Sequence, residues 1–361
     1  MSSEEKITLQ SRKAEHVKIV LDKDTKVSGV TNGFEDFHFV PNAIPDLNYN
    51  EINMNTIFLN NEFDFPVLVA GMTGGYPEAE KINSKLAQIC SELNIPFGVG
   101  SQRAMVVDHS LTHTFDVKKH VKDVFLIGNL GLVQFCQEFT LENLESAINE
   151  INVDAMAIHI NAFQEICQPA GDLNFKDSWN WINKIIKNSP VPIIIKEVGS
   201  GIARDEIQRL DSLKVHAIDV GGAGGTSWPK IEIMRHENDE SPFDLDDPTL
   251  RWGINTALAT WEATSTTNIP IISTGGMYHG LMGAKALAMG ATMIGVARPV
   301  LQTLMNDGSN AAKNWLLHYK ETIKRIMFLL GVGDIENLMK LKHALIPQNQ
   351  AYTWLKYRKF I

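Results

Sequence analysis

Eight short runs of consecutive apolar residues punctuate the chain: FPVLVA (65–70), IPFGVG (95–100), VFLIGN (124–129), AMAIHI (155–160), VPIIIK (191–196), VHAIDV (215–220), IPIIST (269–274) and ATMIGV (291–296). None alternates apolar with polar, so each reads as a strand buried on both faces. Stretches with helical periodicity lie between most of them. PEAEKINSKLAQICSELN (77–94) is the clearest, with Ile82, Leu86, Ile89 and Leu93 at helical spacing. TLENLESAINEI (140–151) and SWNWINKIIKNS (178–189) follow the same pattern. Eight strand–helix units in series predict an α/β fold, a closed (β/α)8 TIM barrel.

The same pattern divides a single domain, 1–361, into three parts. Residues 1–60 read as an N-terminal arm and a lead-in layer, with a basic helix-prone stretch, SRKAEHVKIVL, before a turn-rich one. Residues 61–300 hold the barrel, and 301–361 the C-terminal helices, two of them predicted within 310–346. The longest insertion, 226–252, follows the sixth run and is acidic without clear periodicity, which predicts a lid or mobile segment.

An apolar fraction of 44% suffices for a large core, and a net charge of −9 argues against generic attraction to nucleic acid or anionic lipid. No run approaches the roughly 20 apolar residues of a membrane span. The three cysteines, Cys90, Cys136 and Cys167, are odd in number and lack metal spacing. With a polar start that has no signal-peptide core, they predict a reducing, cytoplasmic setting.

In a barrel of this kind the chemistry sits at the C-terminal strand ends. The seventh run leads into STGGMYHG and the eighth into GVARPV, where barrels often hold a phosphate. Gly275 and Gly276 would let backbone N–H groups approach its oxygens, Arg298 would add a cation, and GGAGGTS (221–227) adds more glycine and two hydroxyls. Thr73, Ser101, Asn129 and Lys196 close other runs and suit one face and the polar edge of a flat heterocycle. Lys196 equally suits an ion pair in the barrel mouth, with Glu197 or another strand-end acid. His159 and Asn161 share one face of the fourth run, and Gln164 and Glu165 follow it. HINAFQE is no zinc helix, and one carboxylate among neutral oxygen donors suits Mg²⁺ better. Arg12, Lys13 and His16 in the arm, with Arg103, could clamp an anion such as a diphosphate.

RKxEH (12–16), AGMTGG (70–75), GSQR (100–103), GNLG (128–131), HxNxxQE (159–165), GGAGGTSW (221–228), STGGM (273–277) and GVARP (295–299) occur in this order along nearly the whole chain. In these motifs it resembles the type 2, FMN-dependent isopentenyl-diphosphate delta-isomerases. Ala162 and Ala170 depart from the family pattern, where proline and glutamate are expected. The resemblance implies FMN held by Gly71, Met72, Thr73, Ser101, Asn129, Lys196, Thr226, Gly275, Gly276, Met277, Ala297 and Arg298. It implies substrate diphosphate at Arg12, Lys13, Ser101, Gln102 and Arg103, Mg²⁺ at Glu165, and His159, Asn161 and Gln164 beside the reacting alkene. The implied reaction interconverts isopentenyl and dimethylallyl diphosphate in isoprenoid biosynthesis, with NADPH or NADH reducing the flavin, in a homotetramer or homo-octamer.

Three alternatives remain open on sequence. A 2-hydroxy-acid oxidase would need an arginine pair near His279, which is absent. A dehydrogenase of the inosine-monophosphate type would need a cysteine after the sixth run, where Thr226 and Ser227 stand. A non-catalytic flavin-binding barrel would need neither Glu165 nor the basic arm.

Overall fold

The computed structural model describes residues 3–236 and 243–361, with side chains from residue 11 onward. All eight apolar runs form strands: β1 (Val67–Val69), β2 (Phe97–Gly98), β3 (Leu126–Gly131), β4 (Ala155–Ile160), β5 (Ile193–Glu197), β6 (Ala217–Asp219), β7 (Ile271–Thr274) and β8 (Met293–Val296). They pair in parallel and close into a barrel in which β8 meets β1. The fold is thus the expected (β/α)8 barrel. Its register sets Gly131 beside His159, His159 beside Lys196 and Lys196 beside Asp219, so three polar side chains share one level at the C-terminal rim.

The barrel interior is filled from below. A hairpin, Thr56–Phe58 with Asn61–Phe63, brings Phe58 and Phe63 against Leu68, Ile127, Ala155, Ile194, Ala217, Ile272 and Met293. The plug leaves the other end to polar residues.

Outside the barrel, the helices α1 (Ser3–Asp22) and α2 (Pro77–Glu92) open the chain, and α2 buries Ile82, Leu86 and Ile89 as its spacing predicts. Later come α3 (Trp228–Arg235), α4 (Arg298–Asp307), α5 (Ser309–Leu329) and α6 (Asn349–Tyr357). One hydrophobic cluster runs from Ile19 and Val20 in α1 to Leu355 in α6. The fully buried Glu262 carboxylate pins α6 by accepting from Trp354 Nε1 at 2.8 Å and Arg358 Nε at 3.0 Å.

Two expectations need correction. Residues 310–346 hold α5 and a short helix, Ile335–Met339, but end in the strand Leu345–Pro347, which pairs with Phe37–Phe39 of the lead-in layer. The 226–252 insertion is not irregular throughout, since α3 occupies its first third with Ser227 as N-cap. That helix touches α1 on one side and the helix Ala162–Ile166 on another, so Pro229, Ile231, Glu232 and Ile233 are all buried and no single apolar stripe is visible. Residues 237–242 of the predicted lid lie outside the described residues. Among the described residues no helix is long and apolar enough to cross a membrane.

Candidate active site

The C-terminal rim of the barrel, roofed by α1, encloses a cavity of about 210 Å³. Its lining includes Gly71, Met72, Thr73, Ser101, Asn129, Lys196, Thr226, Gly275, Gly276, Met277, Ala297 and Arg298 from the strand exits. His159, Asn161, Gln164, Glu165 and Arg103 also face it, and α1 contributes Arg12, Lys13 and His16. Residues as far apart in the chain as Arg12 and Arg298 thus meet in one space.

The glycine-rich exits serve each other first. A Cβ on Gly225 would meet Gly276 N at 2.5 Å, and Gly276 itself has a φ of +71°. These two loops therefore pack backbone to backbone, which only glycine permits at that separation.

Gln102 departs from expectation. Its side chain is fully buried, donating to Ala147 O at 2.7 Å and accepting from Asn129 N at 2.8 Å. It is not among the residues that line the cavity. Its role is to hold Asn129 in place.

Asn129 in turn orients His159. Asn129 Nδ2 donates to Val99 O at 3.2 Å, which turns Oδ1 toward His159 Nδ1 at 2.8 Å. The imidazole then carries its proton on Nδ1 and leaves Nε2 as an acceptor. Burial, then the charges of Lys13, Lys196 and Arg103, push the His159 pKa down to about 3, so the ring is neutral in ordinary conditions.

Lys196 forms its ion pair with Asp219, and meets Glu197 only at the backbone carbonyl, 3.2 Å from Nζ. Its Nζ donates to Asp219 Oδ2 at 2.8 Å, while Glu197 Oε2 accepts the backbone N–H groups of Gly199 and Gly201 at 2.6 and 3.2 Å.

A buried acid that sequence reading passed over connects the arm to the rim. Glu232, on α3, has no solvent exposure. Its Oε1 accepts from Gln164 Nε2 at 2.7 Å and Arg12 Nη2 at 3.2 Å, and lies 3.0 Å from His16 Nε2. Its Oε2 accepts from Arg235 Nη1 at 2.7 Å. Burial opposes its ionisation, but His16, Arg12 and Gln164 outweigh that and hold its pKa well below the usual carboxylate range. His16 is pushed down to about 4 by burial, and Lys13 to about 8 by burial and the neighbouring Arg12. Glu232 lies in a segment without periodicity, so no sequence signal marked it.

Glu165 is buried and its pKa is raised by that burial. It accepts from Asn161 Nδ2 at 2.7 Å, Asp172 N at 2.9 Å and Gln168 Nε2 at 3.3 Å. Arg103 Nη1 donates to Asp172 Oδ2 at 2.9 Å. Several polar atoms facing this space are buried without a partner: Arg12 Nε, Arg103 Nε, Asn161 Oδ1, Thr73 Oγ1, Thr274 Oγ1 and Tyr278 OH. Buried polar groups are normally satisfied, so this concentration marks a site built for a polar ligand. Tyr278 and Thr274 flank the predicted glycine pair, yet a lone hydroxyl carries no pattern of its own.

Comparison with known proteins agrees with this geometry. Residues 133–344, more than half the chain, match the FMN-dependent dehydrogenase family, which defines a flavin-dependent barrel protein and supports FMN as its cofactor. The isopentenyl-diphosphate delta-isomerase of Thermococcus kodakarensis is 41% identical over 354 residues, covering 96% of this chain and 94% of that one. That of Nostoc is 38% identical over 336 residues, covering 93% of this chain and 95% of its own. The chain belongs to the isopentenyl-diphosphate delta-isomerase family. Among solved structures, a monotopic membrane protein, (S)-mandelate dehydrogenase, superposes with a TM-score of 0.66 at 14% identity, covering 96% of this chain and 98% of that one. Sulfite-bound flavocytochrome b2 superposes with 0.64 at 17%, covering 95% and 85%. At such identity these two show the shared fold alone.

The lining fits FMN in its chemistry. Unpartnered hydroxyls on Thr73, Thr274 and Tyr278 sit among close-packed backbone loops, as a polar-edged ring with a phosphate tail requires. A divalent cation is met less completely. No group of three His, Cys, Asp or Glu side chains is placed to hold one among the described residues. Glu165 and the unpartnered Asn161 Oδ1 supply three oxygens at most, which suits Mg²⁺ completed by water and ligand oxygens.

The site's two histidines predict acid sensitivity. His16 and His159 have an ordinary pKa of 6.5, depressed on folding to about 4 and about 3. Below pH 6.5 the unfolded chain binds more protons than the folded one, so stability is complete above that pH and falls as pH drops toward 4 and then 3. Unfolding midpoints measured at pH 7, 6 and 5 should decline, and His159→Gln should flatten the decline. Because Glu197, raised to about 7 by burial, contributes in the opposite sense, the comparison is with the variant: a decline unchanged in His159→Gln would contradict a neutral His159 ring.

Proposed function

We propose that the protein interconverts isopentenyl and dimethylallyl diphosphate, using FMN reduced by NADPH or NADH, with Mg²⁺ on the diphosphate. The observation that carries this reading is the anion site opposite the flavin cradle. Arg12 Nε and Arg103 Nε are buried without partners beside the half-buried Lys13. Three cations with unused N–H capacity call for a multiply charged ligand. Arg12 is already paired with Glu232 and Arg103 with Asp172, so the groups left for such a ligand are the two unused Nε–H donors and Lys13.

In this reading Arg12, Lys13 and Arg103 hold the diphosphate, with Ser101 beside them. Glu165 and Asn161 Oδ1 would hold the Mg²⁺, which would supply positive charge to the diphosphate. Reduced FMN, when bound, supplies an electron-rich ring able to stabilise cationic character in the alkene and to exchange the proton that moves between carbons. His159 stays neutral near neutral pH and orients rather than protonates. Gln164 is held by Glu232 through Nε2, while its Oε1 lies 3.5 Å from Asn161 Nδ2. An amide so fixed presents a directed dipole, and any assistance it gives to proton transfer is steered by the ionised Glu232. α1 covers the site and excludes water from a reactive carbocation-like centre. The three free cysteines fit a reducing, cytoplasmic setting. A homo-oligomer, tetramer or octamer, is part of the same reading.

The deciding experiment is anaerobic. Protein reduced with NAD(P)H is mixed with isopentenyl diphosphate and Mg²⁺, and both product and consumed cofactor are counted. The expected outcome is dimethylallyl diphosphate formed over many turnovers per reductant, because a moved proton leaves the flavin's oxidation state unchanged. One reductant consumed per product, or full activity with oxidised flavin, would replace the isomerase reading with an oxidoreductase one.

Glu165→Gln should raise the Mg²⁺ concentration needed for half-maximal activity at least tenfold while FMN binding, followed by its fluorescence, stays within about threefold, since an amide offers a hard cation less charge than a carboxylate. An unaltered Mg²⁺ requirement would remove Glu165 from the ligand set. Lys13 predicts a basic limb. Its protonated form binds the diphosphate, and with a pKa near 8 in the free protein kcat/KM should fall above pH 8, whereas kcat at saturation should not. Lys13→Arg should move the fall out of range, and a limb unchanged in that variant would assign it elsewhere.

A further inference from the structure

We propose that Arg298 is the latch of the N-terminal arm, a positioning residue that sets where Arg12, Lys13 and His16 stand over the cavity. Its place after β8 suggests a cation for a phosphate, yet each of its three guanidinium nitrogens donates to the arm. Nε donates to Val20 O at 3.1 Å, Nη1 to Thr25 Oγ1 at 3.0 Å and Nη2 to Lys23 O at 2.8 Å. Gln302, one turn along α4, adds a bond from Nε2 to Val20 O at 3.3 Å.

The acceptors explain why the contact is strong. The last carbonyls of a helix have no partner within it and carry its negative end. Val20 O belongs to the last turn of α1, and a guanidinium both satisfies it and matches the dipole. Planar Arg reaches three oxygens in different directions at once, which a lysine ammonium on a flexible stem does not.

The clamp has a second jaw. Thr25 is fully buried, and its carbonyl accepts from Ser227 N at 3.0 Å. Lys230 Nζ donates to Lys26 O at 2.6 Å, and Lys26 Nζ lies 4.2 Å from the Tyr278 ring centre. The segment 23–26 is thus held by the loops after β6, β7 and β8, the same three glycine-rich exits that line the cavity. Arg12, Lys13 and His16 lie one to three turns back along the same helix, so anchoring its C-terminal end fixes their reach. Ordering of those three exits and closure of the arm are thereby one event.

The inference does not depend on which reaction the site performs, because arm closure is read without substrate. Hydrogen exchange of the amides of residues 11–22 is compared in wild type, Arg298→Ala and Arg298→Lys, each saturated with FMN so that loss of flavin cannot itself free the arm. A latch predicts exchange at least tenfold faster in both variants. It also predicts FMN affinity within about threefold of wild type for Arg298→Lys, which keeps the charge. With isopentenyl diphosphate as substrate, KM should rise more than kcat falls. Thr25→Val, which removes one acceptor and leaves Arg298 in place, should give a smaller increase in exchange in the same residues, and covers the case in which the Arg298 variants fold poorly. Wild-type exchange in Arg298→Ala, or restoration of arm protection by Arg298→Lys, would overturn the latch and leave Arg298 as a simple cation.

Discussion

One buried carboxylate, Glu232, ties the active site together. A charge without solvent around it is tolerated only when the protein supplies compensation nearby. Here the compensation comes from three separate segments: Arg12 of the arm with His16 beside it, Gln164 of the loop after β4, and Arg235 of its own helix. Removing any one partner leaves the acid less well compensated, so the arm, the helix α3 and the Gln164 loop are energetically coupled.

A second polar layer lies below it. Parallel register brings His159, Lys196 and Asp219 to one level, and each is given one assignment by its neighbour. Asn129 fixes the tautomer of His159, and Gln102 fixes Asn129. Asp219 balances Lys196, so the lysine brings a dipolar pair to the cavity wall, not an isolated charge. The half-buried histidine beside several cations resists protonation, which favours neutral hydrogen bonding at that wall over acid catalysis by the imidazole.

The barrel alone does not separate isomerisation from redox chemistry, since the same fold at 14–17% identity serves (S)-mandelate dehydrogenase and flavocytochrome b2. What distinguishes this chain lies around the rim. The arm carries Arg12 and Lys13, the loop after β4 carries Glu165 with the unpartnered Asn161 oxygen, and the Nε groups of Arg12 and Arg103 are buried without a hydrogen-bond partner. The family relationship at 41% identity and this geometry point the same way.

The eight strands were legible because strands buried on both faces must be continuously apolar, and α2 was legible because one face of it meets the core. The glycine-rich exits and HINAFQE were legible for a similar local reason: short-range backbone constraint and chemistry leave compact marks. Glu232 was not, because α3 is buried against both the arm and the Ala162–Ile166 helix and shows no stripe. Nor could sequence keep Gln102 out of the cavity lining, choose Asp219 over Glu197 as the partner of Lys196, or direct Arg298 toward the arm. The hairpin of Phe58 and Phe63 that plugs the barrel was also hidden, since its two strands of three residues are too short for an alternation to register. Local periodicity and motif chemistry determined the barrel and the set of residues at its mouth. Only the tertiary structure decided how those residues pair, because each pairing joins segments far apart in the chain whose separation no local pattern encodes.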